Sequence, residues 1–243
     1  MPKMLMFDIW GRYAHYKKIY ATTSALSYVI PSKTSLYGYV GAILGLSKEG
    51  NAYLKYFPPG ACRLSVQLTK PIVMQRVNTN LHPHDKGLIK FTQNRKPTTM
   101  EYVYRPKYRI FFTHEDKSLL QDLEGHLMEH TAVYTPTLGL AYLLSNFKFQ
   151  QALEVGEHFC SESESVEVES VIPRAAFEGF DLKPETGNEI IEYSQFSLEM
   201  NPEREVTART DVLIDRTGKP IRAFVNRYNT YEYEGKKHHI ILF

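Results

Sequence analysis

The sequence is nearly without cysteine: Cys62 and Cys160 are the only two in 243 residues. That excludes a disulfide framework and suits two thiols in a reducing compartment. Long hydrophobic runs are missing as well, since no stretch approaches the roughly 18 apolar residues of a membrane-spanning helix. The opening stretch MPKMLMFDIWGRYA is interrupted by Asp8 and offers no small-residue cleavage site, so it does not read as a secretory signal. A soluble, cytoplasmic protein with no membrane partner is the expectation. There is no Gly-x-Ser-x-Gly elbow and no repeat of fixed period. Pro31-Ser32-Lys33-Thr34 places Lys-Thr before a helix but lacks the Walker A glycines, which argues against a nucleotide triphosphatase.

Acid is scarce in the first half of the chain. Residues 1–113 hold 4 Asp and Glu against 17 Lys and Arg, while residues 114–243 hold 23 against 12. The formal charge of +2 therefore conceals a first half at +13 and a second at −11. Such asymmetry points to a polyanion partner for the first half. It leaves the second half to shield the first or to dock on a basic protein.

What is present reads as α+β. Residues 3–10 are apolar with partial alternation, a strand; 34–46 have helical period; 61–77 and 101–113 read as strands. Between them, residues 78–100 are polar and basic, the mark of a long hairpin. Residues 116–130 form an amphipathic helix with Leu119, Leu120, Leu123, Leu127 and Met128 on one side, and 137–147 read as a second short helix. Segments 148–159 and 164–173 alternate as strands, and from residue 189 the pattern is all strand. The acidic run 161–170, SESESVEVES, reads as a solvated edge strand. The order β-α-β-hairpin-β-α-β predicts a ferredoxin-like palm (the βαββαβ unit also used by RNA-recognition domains) with a hairpin insertion and a small β-rich C-terminal domain. The expected division is 1–175 and 176–243, with the hairpin at about 76–101.

Four groups of residues could carry chemistry. His126 and His130 flank Glu129 in an H-x-x-E-H pattern, which on a helix brings both imidazoles to one face for zinc, as in a metallopeptidase. A third ligand would have to come from elsewhere, and a solvent-facing helix end explains the same residues, so no metal or cofactor is expected. His82 and His84 flank Pro83 in the basic excursion, where they could contact bases, bind metal or simply face water. Ser32 or Thr34 can cap the following helix, whose positive pole and Lys33 would then converge on an anion. Arg12, Tyr13, His15, Tyr16, Lys17, Lys18, Tyr20 and Tyr28 interleave cations with rings, as single-stranded nucleic acid requires. Arg76, Lys86, Lys90, Arg95, Lys96 and Arg105 extend the basic set, together with Lys107 and Arg109.

The run Ala14-His15-Tyr16-Lys17, then Ser27-Tyr28-Val29-Ile30-Pro31-Ser32-Lys33-Thr34, then Gly38, Gly41 and Gly45, resembles the N-terminal signature of the fifth Cas protein family. Tyr134-Thr135-Pro136-Thr137-Leu138-Gly139 resembles its second motif. That family belongs to the RAMP superfamily and supplies a subunit of the type I CRISPR Cascade complex; the pattern is closest to the type I-B branch. The resemblance implies a thumb at the hairpin and a non-catalytic role: binding the 5′ handle of the crRNA and capping the complex backbone. The implied partners are the backbone subunit, the large subunit and the repeat endoribonuclease. One branch cuts precursor RNA without metal, and Tyr28, Lys33, His15 and His114 are this chain's candidates for that alternative. The glycines Gly38, Gly41 and Gly45 would each cost about 1 kcal/mol inside a helix. We expect Gly38 beside the anion site, with Tyr134 in the interface, and Gly41 and Gly45 packed on the sheet.

Overall fold

The computed structural model describes residues 2–19, 25–81, 96–183 and 186–243. The alternation in Lys3–Gly11 (β1) sends Leu5, Phe7 and Ile9 to one side and Met4 and Met6 to the other, and all five are fully buried. This strand is the middle of a four-stranded antiparallel sheet. Cys62–Leu68 (β2) pairs with Lys107–His114 (β5), which pairs with β1, which pairs with Ser145–Glu154 (β6). The order across the sheet is β2-β5-β1-β6.

Two helices cover the Leu5–Phe7–Ile9 side. Lys33–Leu44 (α1) contributes Leu36, Val40 and Ile43 to the core there, and Lys117–Met128 (α2) contributes Leu119, Leu120, Leu123 and Leu127. Ser32 caps α1 by accepting from the Ser35 amide at 3.2 Å. Asp116 caps α2 through the amides of Ser118 and Leu119, a contribution of about 1 kcal/mol.

Between β2 and β5 the chain leaves the sheet as a hairpin. Val73–Leu81 (β3) pairs with Lys96–Tyr104 (β4) from Val73↔Tyr104 to Leu81↔Lys96. The strands expected over 61–77 and 101–113 each break in two where the hairpin departs, at Pro71 and at Arg105-Pro106, because proline removes a ladder donor. Arg105 takes a φ of 47° to make the second bend.

Gly156–Val168 (β7), Ile221–Tyr233 (β11) and Phe177–Phe180 (β8) form a second sheet in the order β7-β11-β8, and Lys236–Ile240 (β12) also pairs with β11. Tyr231, Ile240 and Leu242 close over Met4, Met6 and Phe111, so the first sheet is covered on both faces. Within the acidic run, Val166 and Val168 turn inward on the edge strand β7 while Glu164 and Glu167 are exposed. The C-terminal Phe243 exchanges backbone hydrogen bonds with Leu64 and protects the outer edge of β2.

A third sheet joins Ile190–Met200 (β9) to Val206–Asp215 (β10). Tyr193, Phe196, Val212 and Ile214 belong to the same apolar cluster as α1 and β1. The join is polar at its centre. Lys33 Nζ donates to Glu199 Oε1 at 2.8 Å and Tyr37 O–H donates to Glu199 Oε2 at 2.6 Å, with the lysine side chain 4% exposed. Burial pushes the nearby Cys62 thiol up to about 11, so it stays protonated at neutral pH.

Three sequence expectations are corrected. First, α1 stops at Leu44, because Gly45 is its left-handed C-cap with a φ of 73°. A Cβ on Gly45 would strike Val133 at 2.7 Å, and one on Gly41 would meet Tyr53 at 3.7 Å. Neither glycine packs on the sheet. Second, residues 137–144 are turns rather than a helix, since Gly139 takes a φ of 99°. Third, α2 ends before His130, which has a φ of 55° and stacks its ring on Phe147 at 4.8 Å. His126 turns to Thr131 Oγ1 at 3.0 Å. The two imidazoles do not share a helix face, so the zinc-peptidase reading has no site among the described residues.

Removing one partner of a buried ion pair leaves the other uncompensated. Lys33→Met or Glu199→Leu alone is therefore expected to cost about 3 kcal/mol in urea unfolding, and the double substitution less than the sum. An additive double-mutant cycle would rule out the coupling. Gly139→Ala is expected to cost at least about 2 kcal/mol in the same assay, because a Cβ there would lie 1.9 Å from the His15 carbonyl oxygen. Unchanged stability would contradict that close approach.

Candidate nucleic-acid interface

The chain leaving β1 crosses the base of the hairpin. Tyr13 and Ala14 pair with Tyr104 and Val103 of β4, and the Arg105 amide donates to the Arg12 carbonyl at 2.8 Å. Tyr102 and Tyr104, two apart on β4, both meet Tyr13, with ring centroids 5.6 and 5.4 Å away. Tyr102 and Tyr142 bring their hydroxyls within 3.0 Å. The result is a row of four tyrosines. Tyr102 is buried within it and its hydroxyl is pushed up to about 12 by burial, whereas Tyr142 is 62% exposed.

Cations flank the row. The Arg12 guanidinium lies 6.0 Å from the Tyr13 ring and that of Arg105 lies 5.2 Å from Tyr104. Both arginines are exposed, and among the described residues no carboxylate pairs with either. Partial burial, and then the neighbouring Arg105 and Lys107, lower the Lys70 ammonium below its ordinary value. Three cations thus crowd the junction of β3 and β5 with the sheet. Lys107 also reaches the buried Asp8 at 3.4 Å, and Arg109 is committed to Asp8 at 2.9 Å.

A cleft of about 800 Å³ lies over the exposed side of α1, lined by Thr34, Ser35 and Gly38 and, across from them, by Tyr53, Tyr134 and Arg204. Gly38 is exposed, and a Cβ there would meet nothing within 4 Å. Tyr134 is half-exposed at the rim, tied by its amide to the Ala42 carbonyl at 2.9 Å. The motif around Gly139 is held against residue 15, since the His15 amide donates to the Leu138 carbonyl at 3.0 Å.

The expected residues therefore separate into groups. Arg12, Tyr13 and Arg105 come together at the hairpin base. Lys17 is exposed, and Arg76 is exposed but within 3.4 Å of Glu101. Lys18 lies over the Tyr193 ring at 4.9 Å. Thr34, Gly38 and Tyr134 line the α1 cleft, whereas Ser32 is buried as the cap of α1. His15 is buried with Nδ1 2.8 Å from the Glu101 carbonyl, and Tyr16 and Tyr28 are core residues. Tyr28 sits edge-on to Tyr193 and Phe196. Lys33 is corrected: its ammonium is buried and held by Glu199. His82, His84, Lys86, Lys90 and Arg95, like Tyr20, lie outside the described residues, and Lys96 enters only through its backbone pairing with Leu81.

The nuclease candidates are likewise dispersed among different partners. His15 serves β4, Tyr28 faces β9, Lys33 serves Glu199, and His114 accepts the Asp116 amide at 3.0 Å beside the start of α2. Sequence reading missed Tyr102, Tyr104, Tyr142 and Lys70. The spacing of Tyr102 and Tyr104 on a strand was the available signal, since residues two apart share a face.

No protein-family model and no curated protein matches the sequence. Among solved structures, the chain is similar to a CRISPR protein from Archaeoglobus fulgidus, with a TM-score of 0.52 and 13% identity over 98% of each chain. A chain of a CRISPR RNA-guided surveillance complex aligns with a TM-score of 0.48 and 11% identity over 91% of each chain. A Cas protein aligns with a TM-score of 0.49 and 12% identity over 92% of this chain and 94% of the other. The first likeness extends over nearly the whole length, and at that identity it is a likeness of fold: the chain has the α+β fold of a CRISPR-associated protein.

Proposed function

We propose that this chain is a non-catalytic RNA-binding subunit of a type I CRISPR surveillance complex, holding the 5′ handle of the crRNA and capping the complex backbone. The observation that carries the proposal is the tyrosine row at the hairpin base with Arg12 and Arg105 beside it. Rings stack bases of any sequence, and unpaired guanidinium groups follow the phosphates. The sheet order β6-β1-β5-β2 is the one a split βαβ unit produces, which supports reading the sheet with α1 and α2 as a ferredoxin-like, RAMP-type palm. In this reading β3 and β4 are the thumb, residues 1–175 are the RNA-binding part and 176–243 the small β-rich one. The partners are the Cascade backbone and large subunits and the repeat endoribonuclease, in the type I-B branch and in the cytoplasm. The α1 cleft, lined by Thr34, Gly38 and Tyr134, offers a neighbouring place for a nucleotide.

Contact with about five phosphates gives a log–log salt slope of about −3.5 for single-stranded RNA. Arg12→Gln and Arg105→Gln should each flatten it by about 0.7, and Tyr13→Ala should cost about 1–3 kcal/mol of binding. Lys33→Met should leave the slope unchanged. A flat salt dependence in wild type would defeat the electrostatic part. Sequencing the RNA that co-purifies with the protein tests the handle itself: a common repeat-derived 5′ end is expected, and random fragments would overturn it.

The dispersal of His15, Tyr28, Lys33 and His114 leads us to expect unprocessed repeat RNA to survive incubation with the protein in chelator. Clean cutting that disappears in Tyr28→Phe or His15→Ala would replace the binding reading with a nuclease one.

A further inference from the structure

The outer side of α2 borders a groove of about 590 Å³ that is separate from the tyrosine row. Its floor is apolar: Leu44 and Leu46 at the end of α1 are half-buried, and Tyr56 is 47% exposed. Its rim is acidic. Asp116 spends its carboxylate on capping α2, but Asp122 and Glu129 are exposed and have no ion pair or side-chain hydrogen bond among the described residues. Lys117, the only lysine or arginine on α2, does not line the groove. Between the two carboxylates stands Gly125, in a helix interior, with nothing within 4 Å of where a Cβ would be. It gives up about 1 kcal/mol of helix propensity and no contact among the described residues accounts for it.

We propose that this groove is a docking site for a partner protein: a segment that carries lysine or arginine on either side of one apolar anchor side chain. The anchor fills the Leu44–Leu46–Tyr56 floor, the cations meet Asp122 and Glu129, and Gly125 lets the incoming backbone lie close to α2. The sign of the rim disfavours a nucleic acid, whose phosphates the carboxylates would repel. The tyrosine row and the acidic groove thereby serve different classes of partner.

The test uses the full chain and a short fluorescein-labelled peptide of lysine and leucine, read by anisotropy. Saturable binding is expected, and it should fall at least about tenfold in Gly125→Lys. A lysine there lies three residues from Asp122 and four from Glu129, so it neutralises the rim within the helix. The change favours helix, so thermal melting should show a variant at least as stable as wild type and separate lost docking from lost fold. Replacing leucine by alanine in the peptide should abolish binding, as should replacing lysine by glutamate. The proposal is overturned if no saturable binding occurs, if Gly125→Lys binds like wild type, or if the lysine–alanine peptide binds as well. A dimer in sedimentation that Gly125→Lys dissociates would assign the groove to a second copy, and weakened RNA binding in that variant would assign it to nucleic acid. Either result overturns the proposal.

Discussion

Glu199 is the constraint on which the arrangement of the chain depends. Its two carboxylate oxygens take Lys33 Nζ and the Tyr37 hydroxyl, both from the first turns of α1. A carboxylate removed from water is tolerable only with partners of this kind, and each partner is equally dependent on it. The consequence is geometric. Strand β9 is fixed across α1, which brings Tyr193 and Phe196 onto Tyr28 and places Lys18 over the Tyr193 ring. Tyr28 and Lys33 are thereby structural, while Arg12 and Arg105 stay exposed at the base of the hairpin.

Local pattern made much of this fold legible. The alternation of β1, the leucine spacing of α2 and the polar character around the hairpin are short-range signals, and β1, α2 and the pairing of β3 with β4 appear where those patterns lie. The errors arose where distant contacts set the conformation. Residues 137–147 have leucines at helical spacing, but the backbone there turns because Gly139 lies against the carbonyl of residue 15. Gly45 looks like Gly38 in sequence, yet Val133 and a positive φ make it a cap. Lys33 had the position of a phosphate ligand, and the acid that claims it is 166 residues further on. Of the candidate interface, the cations Arg12 and Arg105 were readable, whereas the tyrosine row required the register of β4 with Tyr13.

The charge imbalance between the halves also takes a different meaning in three dimensions. Several cations of the first half are consumed internally: Lys33 by Glu199, Arg109 by Asp8, Arg76 near Glu101. Lys70, Arg105 and Lys107 stand together where the hairpin meets the sheet. The Lys70 ammonium is lowered by partial burial and then by its cationic neighbours Arg105 and Lys107. Crowding of like charge relaxes when a polyanion arrives, so the same repulsion that strains the free protein favours the bound one.

Open glycines extend that reasoning to surfaces without charge crowding. Gly38 on α1 and Gly125 on α2 both forgo helix propensity, and a Cβ at either would meet nothing. Gly41 differs, because Tyr53 lies 3.7 Å from where its Cβ would be. A glycine that packs against its own chain is explained by that packing. One that faces open space has no such explanation among the described residues, and the two open positions border different depressions: a cleft with Arg204 and Tyr134, and a groove with Asp122 and Glu129. The surroundings differ in sign, so one visitor does not suit both.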